Sequence, residues 1–262
     1  MSRNIILGAI SGDIIGSAYE FNNIKSLYFE ILTNDTFFTD DSVMTIGTMY
    51  VLLNSDEYSK TYHSIGRRFP HRAYGSGFKK WLISNNPQPY NSFGNGSAMR
   101  VSPIGWYCKN IDEVLAEAKR SAEVTHNHPE GIKGAQAAAL AVFWARTGKS
   151  KKDIKTAIEE HFSYDLSRKI DKIRPVYKFD ESCQGTVPEA IIAFLESKDY
   201  EHAVRLAVSL GGDSDTLAAI TGGIAEAFYK EIPEDITDFV RVILGPDLMK
   251  DIIIPFSEKY GY

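Results

Sequence analysis

Two short acidic clusters carry most of the potential chemistry in this chain. Thr39-Asp40-Asp41-Ser42 and Gly211-Gly212-Asp213-Ser214-Asp215-Thr216 each place two carboxylates among hydroxyls, at points where a helix is expected to begin. Hard divalent cations such as Mg²⁺ and Mn²⁺ take oxygen ligands of this kind. Four carboxylates gathered in one place repel one another unless cations neutralise them. If the fold joins the clusters, metal is nearly required, and four carboxylates suit two ions. Acids at helix starts are also ordinary caps that offset the macrodipole, and either cluster alone is explained that way. The paired glycines before Asp213 would let backbone approach a ligand closely.

Two other segments are worth weighing. In Phe93-Gly94-Asn95-Gly96-Ser97-Ala98-Met99-Arg100, small residues leave backbone N–H groups free to cradle phosphate oxygens; an ordinary turn has the same composition. In Thr125-His126-Asn127-His128-Pro129, two histidines stand two apart, but no third histidine or cysteine lies at metal spacing. His128 therefore fits a helix-capping or loop role.

The elements that must position these groups are helical. Ile6, Leu7, Ile10, Ile14 and Ala18 recur at three- and four-residue steps. Gly8, Gly12 and Gly16 fall on one face of that helix, where they would admit a close neighbour. Asp40 and Asp41 lead into Val43, Met44, Ile46, Met49 and Leu52. Further helices are expected over 77–84, 111–124, 129–147 (ending at Gly148), 150–161 (with Ser150 and Asp153 as a capping pair), 200–210, 216–229 and 234–244. Another is expected to begin at Pro188, a first-turn residue, and to run to Leu195. Extended pieces are expected only over 26–32 and 174–179. The glycine-rich stretch from Tyr74 to Pro103 reads as functional loop. No repeat, linker or shift in composition marks a boundary, so one all-α domain over 1–262 is expected.

With 44 % hydrophobic residues among 262, the chain has material for a large core and is not a disordered segment. A balance of 29 basic against 34 acidic residues, net −5, argues against general nucleic-acid binding. Two cysteines, Cys108 and Cys183, are too few for a disulfide framework and point to a reducing, cytoplasmic setting. No apolar run reaches the ~18 residues of a membrane span. Arg3 followed by Ile5 to Ile10 mimics a secretory leader, but Asp13 interrupts it early and no leader is expected.

These segments occur in an order that resembles the ADP-ribosylglycohydrolase family. The matching residues are Gly8 to Asp13 with Glu20, Thr39 to Ser42, Gly94 to Arg100, Thr125-His126, Gly185-Thr186-Val187-Pro188, and Gly211 to Thr216. Ser42 stands where the family usually has threonine, and the hydroxyl is kept. The resemblance implies a compact all-α fold with a binuclear Mg²⁺ or Mn²⁺ site at the base of a cleft. It implies Thr39, Asp40, Asp41, Asp213, Asp215 and Thr216 as metal ligands. Glu20, on a mobile segment near the scissile bond, would join Asp41 and Asp213 in catalysis. Gly94, Asn95, Gly96 and Ser97 would lie along the diphosphate, and His126 would contact ADP-ribose. The implied reaction cleaves ADP-ribose from a modified protein side chain or small acceptor. A crystallin-like, non-catalytic member and a metal-dependent phosphoesterase acting on a nucleotide are the alternatives. Intact acidic clusters argue against the first of these.

Overall fold

Glycines at four-residue spacing decide how the first helix packs. A computed structural model describes residues 5–262; Arg3 of the leader-like pattern lies outside them. Helix α1 (Gly8–Ser17) lies along α12 (Ser214–Tyr229). A Cβ on Gly12 would sit 2.0 Å from the Ala218 carbonyl oxygen, and one on Gly16 2.4 Å from that of Ser214. Only hydrogen fits there, so the spacing brings the two backbones together. Glu226 of α12 then accepts the N–H groups of Leu7 (3.1 Å) and Gly8 (2.7 Å), satisfying the start of α1.

The remaining helices are α2 (Asp40–Asn54), α3 (Tyr58–Arg68), α4 (Ser76–Ile83), α5 (Ser102–Tyr107), α6 (Ile111–Glu123), α7 (Pro129–Arg146), α8 (Lys151–Phe162), α9 (Ile170–Ile173), α10 (Cys183–Glu196), α11 (Tyr200–Val208), α13 (Glu234–Leu248) and α14 (Ile254–Tyr260). A 3₁₀ turn covers Asn95–Ser97, and a π turn at Met249–Ile253 joins α13 to α14. Helices α7, α10 and α12 pack together at the centre, with α11 against α10 and α12 and α6 against α7. Their facing residues are small: Ala135, Ala137 to Ala139, Ala190, Ala193, Ala218 and Ala225 are all buried.

Several sequence expectations hold in detail. Ser150 Oγ accepts from Asp153 N–H (3.2 Å), and His128 Nδ1 accepts from Glu130 N–H (3.1 Å), each capping a helix. Gly148 follows α7 at φ +87°. Others do not. Helix α10 starts at Cys183, capped by Ser182, so Pro188 lies within it. The cap and the preceding loop set that start; the proline forgoes one backbone bond inside the second turn. No strand forms among the described residues, and 26–32 and 174–179 run through turns and bends; the only ladder contact is a bridge between Gly94 and Ser182. Helices α3, α5, α9 and α14 lie where no helix was expected. Helix α4 falls where one was expected over 77–84; the rest of the stretch from Tyr74 to Pro103 is loop apart from the 3₁₀ turn and the start of α5.

Candidate active site

Both acidic clusters begin helices, and α1 brings them together. Thr39 caps α2, its Oγ1 accepting from Asp41 N–H at 3.2 Å. Asp213 precedes the first turn of α12. The hydroxyl of Thr216 then donates to Asp41 Oδ2 at 3.2 Å. One carboxylate oxygen each of Asp13, Asp41 and Asp215 lie within 4.8 Å of one another, as do those of Glu20, Asp213 and Asp215. Asp215 belongs to both groups.

Asp13 belongs to the site as well, although its place in the Gly8 to Asp13 motif assigned it no role. It is fully buried in α1, and its carboxylate accepts from Thr39 N–H (3.0 Å), Thr39 Oγ1 (2.7 Å), Ser42 N–H (3.1 Å) and the Ser42 hydroxyl. It thereby pins the first turn of α2. A charge in the midst of an apolar, glycine-spaced helix was the available signal, because such a group must have partners.

A cleft of about 260 Å³ opens over these carboxylates. Asp40, Asp41, Asp213, Asp215, Thr216 and Glu20 line one part of it, and Gly94 to Gly96 with Tyr90 and His126 another. Asp40 faces the cleft but stands outside both three-carboxylate groups. Asn95 turns its side chain to the carboxylate side: Nδ2 donates to Asp213 Oδ2 (2.6 Å) and to Thr186 Oγ1 (3.0 Å). The Ser97 hydroxyl is turned away from the cleft, donating to the Gly131 carbonyl at 2.7 Å. The paired glycines do not line the cleft. Gly211 and Gly212 adopt φ of +67° and +71°, which a side chain would resist.

Asn23 ties the Glu20 segment to that loop. Its Oδ1 accepts from Gly212 N–H (2.8 Å), and its Nδ2 donates to the carbonyls of Glu20 (2.7 Å) and Gly212 (3.2 Å). Lys25 Nζ adds bonds to the carbonyls of Tyr177 (2.8 Å) and Leu210.

The electrostatics follow from crowding. Burial, then the neighbouring Asp215, raises Asp40 and Asp41 well above the usual carboxylate range; burial, then Asp213, does the same to Asp215. Burial pushes Asp13 and Asp213 to about 6. Glu20 rises to about 8 through burial, then Asp215 and Asp13. Three carboxylate oxygens here, Glu20 Oε2, Asp41 Oδ1 and Asp215 Oδ1, are buried without a hydrogen-bond partner. A buried anionic oxygen with no donor is costly. A hard divalent cation supplies what is missing, so the residues present fit such an ion.

An all-helical fold whose central cleft gathers orphaned carboxylates opposite a glycine-rich wall belongs to the divalent-metal-dependent enzymes. The chain is a member of the ADP-ribosylglycohydrolase family, whose family model matches residues 2–255. It is similar to "ADP-ribosylhydrolase ARH3" of Mus musculus, 27% identical over 88% of this chain and 85% of the relative. "ADP-ribosylarginine hydrolase Tri1" of Pseudomonas putida (strain GB-1) is 22% identical over 87% of this chain and 70% of its own. The solved structure of an "ADP-ribosylglycohydrolase-related protein complex" superposes with a TM-score of 0.76, covering 96% of this chain and 94% of the other at 24% identity, a likeness of fold. Membership makes the protein a hydrolase of the glycosidic bond to ADP-ribose; neither the phosphoesterase nor the crystallin-like alternative is favoured. Among the described residues no helix is long and apolar enough to cross a membrane.

Proposed function

We propose that this cleft, within one domain over 1–262, removes ADP-ribose from a modified protein side chain or small acceptor and releases free ADP-ribose. Two Mg²⁺ or Mn²⁺ ions would be held by Asp40, Asp41, Asp213 and Asp215, with the hydroxyls of Thr39 and Thr216. The partnerless carboxylate oxygens of Asp41 and Asp215 carry this reading. When bound, such ions orient the ribose hydroxyls and lower the pKa of a water.

The chain's own groups do the rest. Positive charge develops at the anomeric carbon as the bond to the acceptor breaks. Glu20, Asp41 and Asp213 would face that point, where carboxylates stabilise the charge and one of them takes a proton from the attacking water. Asn95 holds Asp213 in orientation and Thr216 holds Asp41. The Gly94 to Ser97 segment would lie along the diphosphate with His126 in contact; the N–H groups of Gly94 and Asn95 already donate to Ser92 Oγ (3.1 Å) and the Glu181 carbonyl (2.7 Å), so those of Gly96 and Ser97 are the ones that would reach the anion. The buried free cysteines Cys108 and Cys183 accord with a reducing, cytoplasmic setting.

The test is a panel of arginine-, serine- and nucleobase-linked ADP-ribosyl substrates, each assayed with and without divalent metal. Metal-dependent release of ADP-ribose from at least one linkage is expected. Release from none, or release unaffected by chelator, overturns the proposal.

A further inference from the structure

Arg100 is a cation with no exposed surface. Its Nη2 donates to the Ser121 carbonyl (2.6 Å) and to Thr125 Oγ1 (3.0 Å), and its guanidinium lies 4.5 Å from the centre of the Tyr62 ring. Thr125, also fully buried, is 2.7 Å from Nδ1 of His126 through the same Oγ1. An arginine can only donate, so Thr125 Oγ1 must accept from it. The threonine has one proton to place. The alternative acceptor, the Ala122 carbonyl, is 3.5 Å away, against 2.7 Å for Nδ1. The short contact takes the proton, which makes Nδ1 an acceptor and leaves the imidazole proton on Nε2.

His126 is 5% exposed and lines the cleft. Its Nε2 faces the glycine wall: a Cβ on Gly96 would lie 3.1 Å from it, and one on Gly94 3.5 Å. Burial, and after it the Arg100 charge, hold the imidazole well below its usual pKa, so the ring stays neutral. A neutral imidazole donates from one nitrogen only, and the partner of the other decides which.

We propose that Arg100 and Thr125 are positioning residues that lock His126 as the neutral Nε2–H tautomer, so that it donates to a diphosphate oxygen of ADP-ribose at the Gly94–Gly96 wall. The ligand half of this rests on the functional reading above; the tautomer half does not. With the opposite tautomer, an unprotonated Nε2 lone pair would face the anionic oxygen and repel it.

The experiment has two readouts on the intact chain in Mg²⁺ buffer. Long-range ¹H–¹⁵N correlation spectra of the ligand-free protein, with His126 assigned by its loss in His126→Gln, report the tautomer. Calorimetric titration with ADP-ribose reports the contact. We expect a protonated Nε2 and an unprotonated Nδ1 in the wild type. Thr125→Val should lose that pattern and weaken ADP-ribose binding by roughly tenfold or more, the scale of one hydrogen bond to a charged group. Thr125→Ser should restore both, which mere loss of packing would not allow. A protonated Nδ1 in the wild type, or a Thr125→Val protein that keeps both tautomer and affinity, overturns the proposal. A protonated Nε2 in the wild type together with unchanged ADP-ribose affinity in His126→Ala overturns the ligand contact alone. A wild type that binds no ADP-ribose overturns the functional reading and the contact with it.

Discussion

The Thr216 hydroxyl donates to Asp41 Oδ2 at 3.2 Å, joining two acidic clusters that lie 175 residues apart in the chain. Each cluster alone is an acid-rich helix start. Joined, they put Asp41 and Asp215 within reach of one cation, with Asp13 behind them. Asp215 sits in both carboxylate groups, so Asp215→Ala should cost most of the turnover. It should also remove most of the rise in melting temperature that Mg²⁺ or Mn²⁺ gives the wild type. That rise corresponds to about 2.7 kcal/mol at a hundredfold excess over Kd. Thermal melts across a metal titration check both; an unshifted wild type refutes the metal site.

Glu20 tests the chemical step apart from metal. Its Oε2 is buried and partnerless, and Glu20→Gln keeps the shape while removing charge and basicity. The variant should fold, bind metal and ADP-ribose as before, and lose on the order of 10²-fold in kcat, the size of one acid–base contribution. Steady-state kinetics beside ADP-ribose titration measure this. A near-normal kcat would leave Glu20 without a catalytic role.

Asp13→Asn probes the support beneath the ligands. The amide offers one acceptor oxygen where four donors converge, so the Thr39–Ser42 turn should lose its fixed geometry. Metal affinity should fall roughly 10- to 100-fold, as is usual for groups that orient ligands. Direct metal titration decides; unchanged affinity would mean Asp13 is only a core group.

The raised carboxylates also predict how the metal-free protein responds to pH. Folding lifts Asp213 and Asp13 to about 6 and Glu20 to about 8, from 3.8 and 4.5. The native state therefore holds protons that the unfolded chain has released, and stability falls as pH rises between those limits. In chelator, the urea midpoint should be highest near pH 4 to 5 and decline to pH 8. Saturating Mg²⁺ should flatten the decline, because the cation replaces the protons. A metal-free midpoint that rises over this range contradicts the electrostatic reading.

The contact between α1 and α12 makes a prediction about stability alone. Gly12→Ala would place a methyl 2.0 Å from the Ala218 carbonyl oxygen, against backbone that cannot step aside. Overpacking of this kind destabilises by about 1–3 kcal/mol or more. Chemical denaturation should show it, with Gly148→Ala as a contrast: that glycine has open space around it but a left-handed backbone, so only local strain applies.

Much of this was legible in the chain itself because the signals are local. Apolar spacing and caps such as Ser150 with Asp153 are decided within one or two helical turns, and they located α1, α2, α6, α7, α8, α11 and α12. The glycine triplet announced a close neighbour without saying which. The acidic clusters, the glycine-rich wall and His126 were all visible as motifs, and their order pointed to the family. What the tertiary structure decided is everything that depends on long-range packing. It chose α12 as the partner of α1. It turned Asp13 from one acid in an apolar helix into the post on which the α2 turn is hung. It sent Asn95 toward Asp213 and Ser97 toward Gly131, although the two stand side by side in one motif. It also stacked Arg100, Thr125 and His126 into a single hydrogen-bonded line. Hydrogen bonds act over about 3 Å, and no spacing in a sequence reveals which groups from distant segments will come that close.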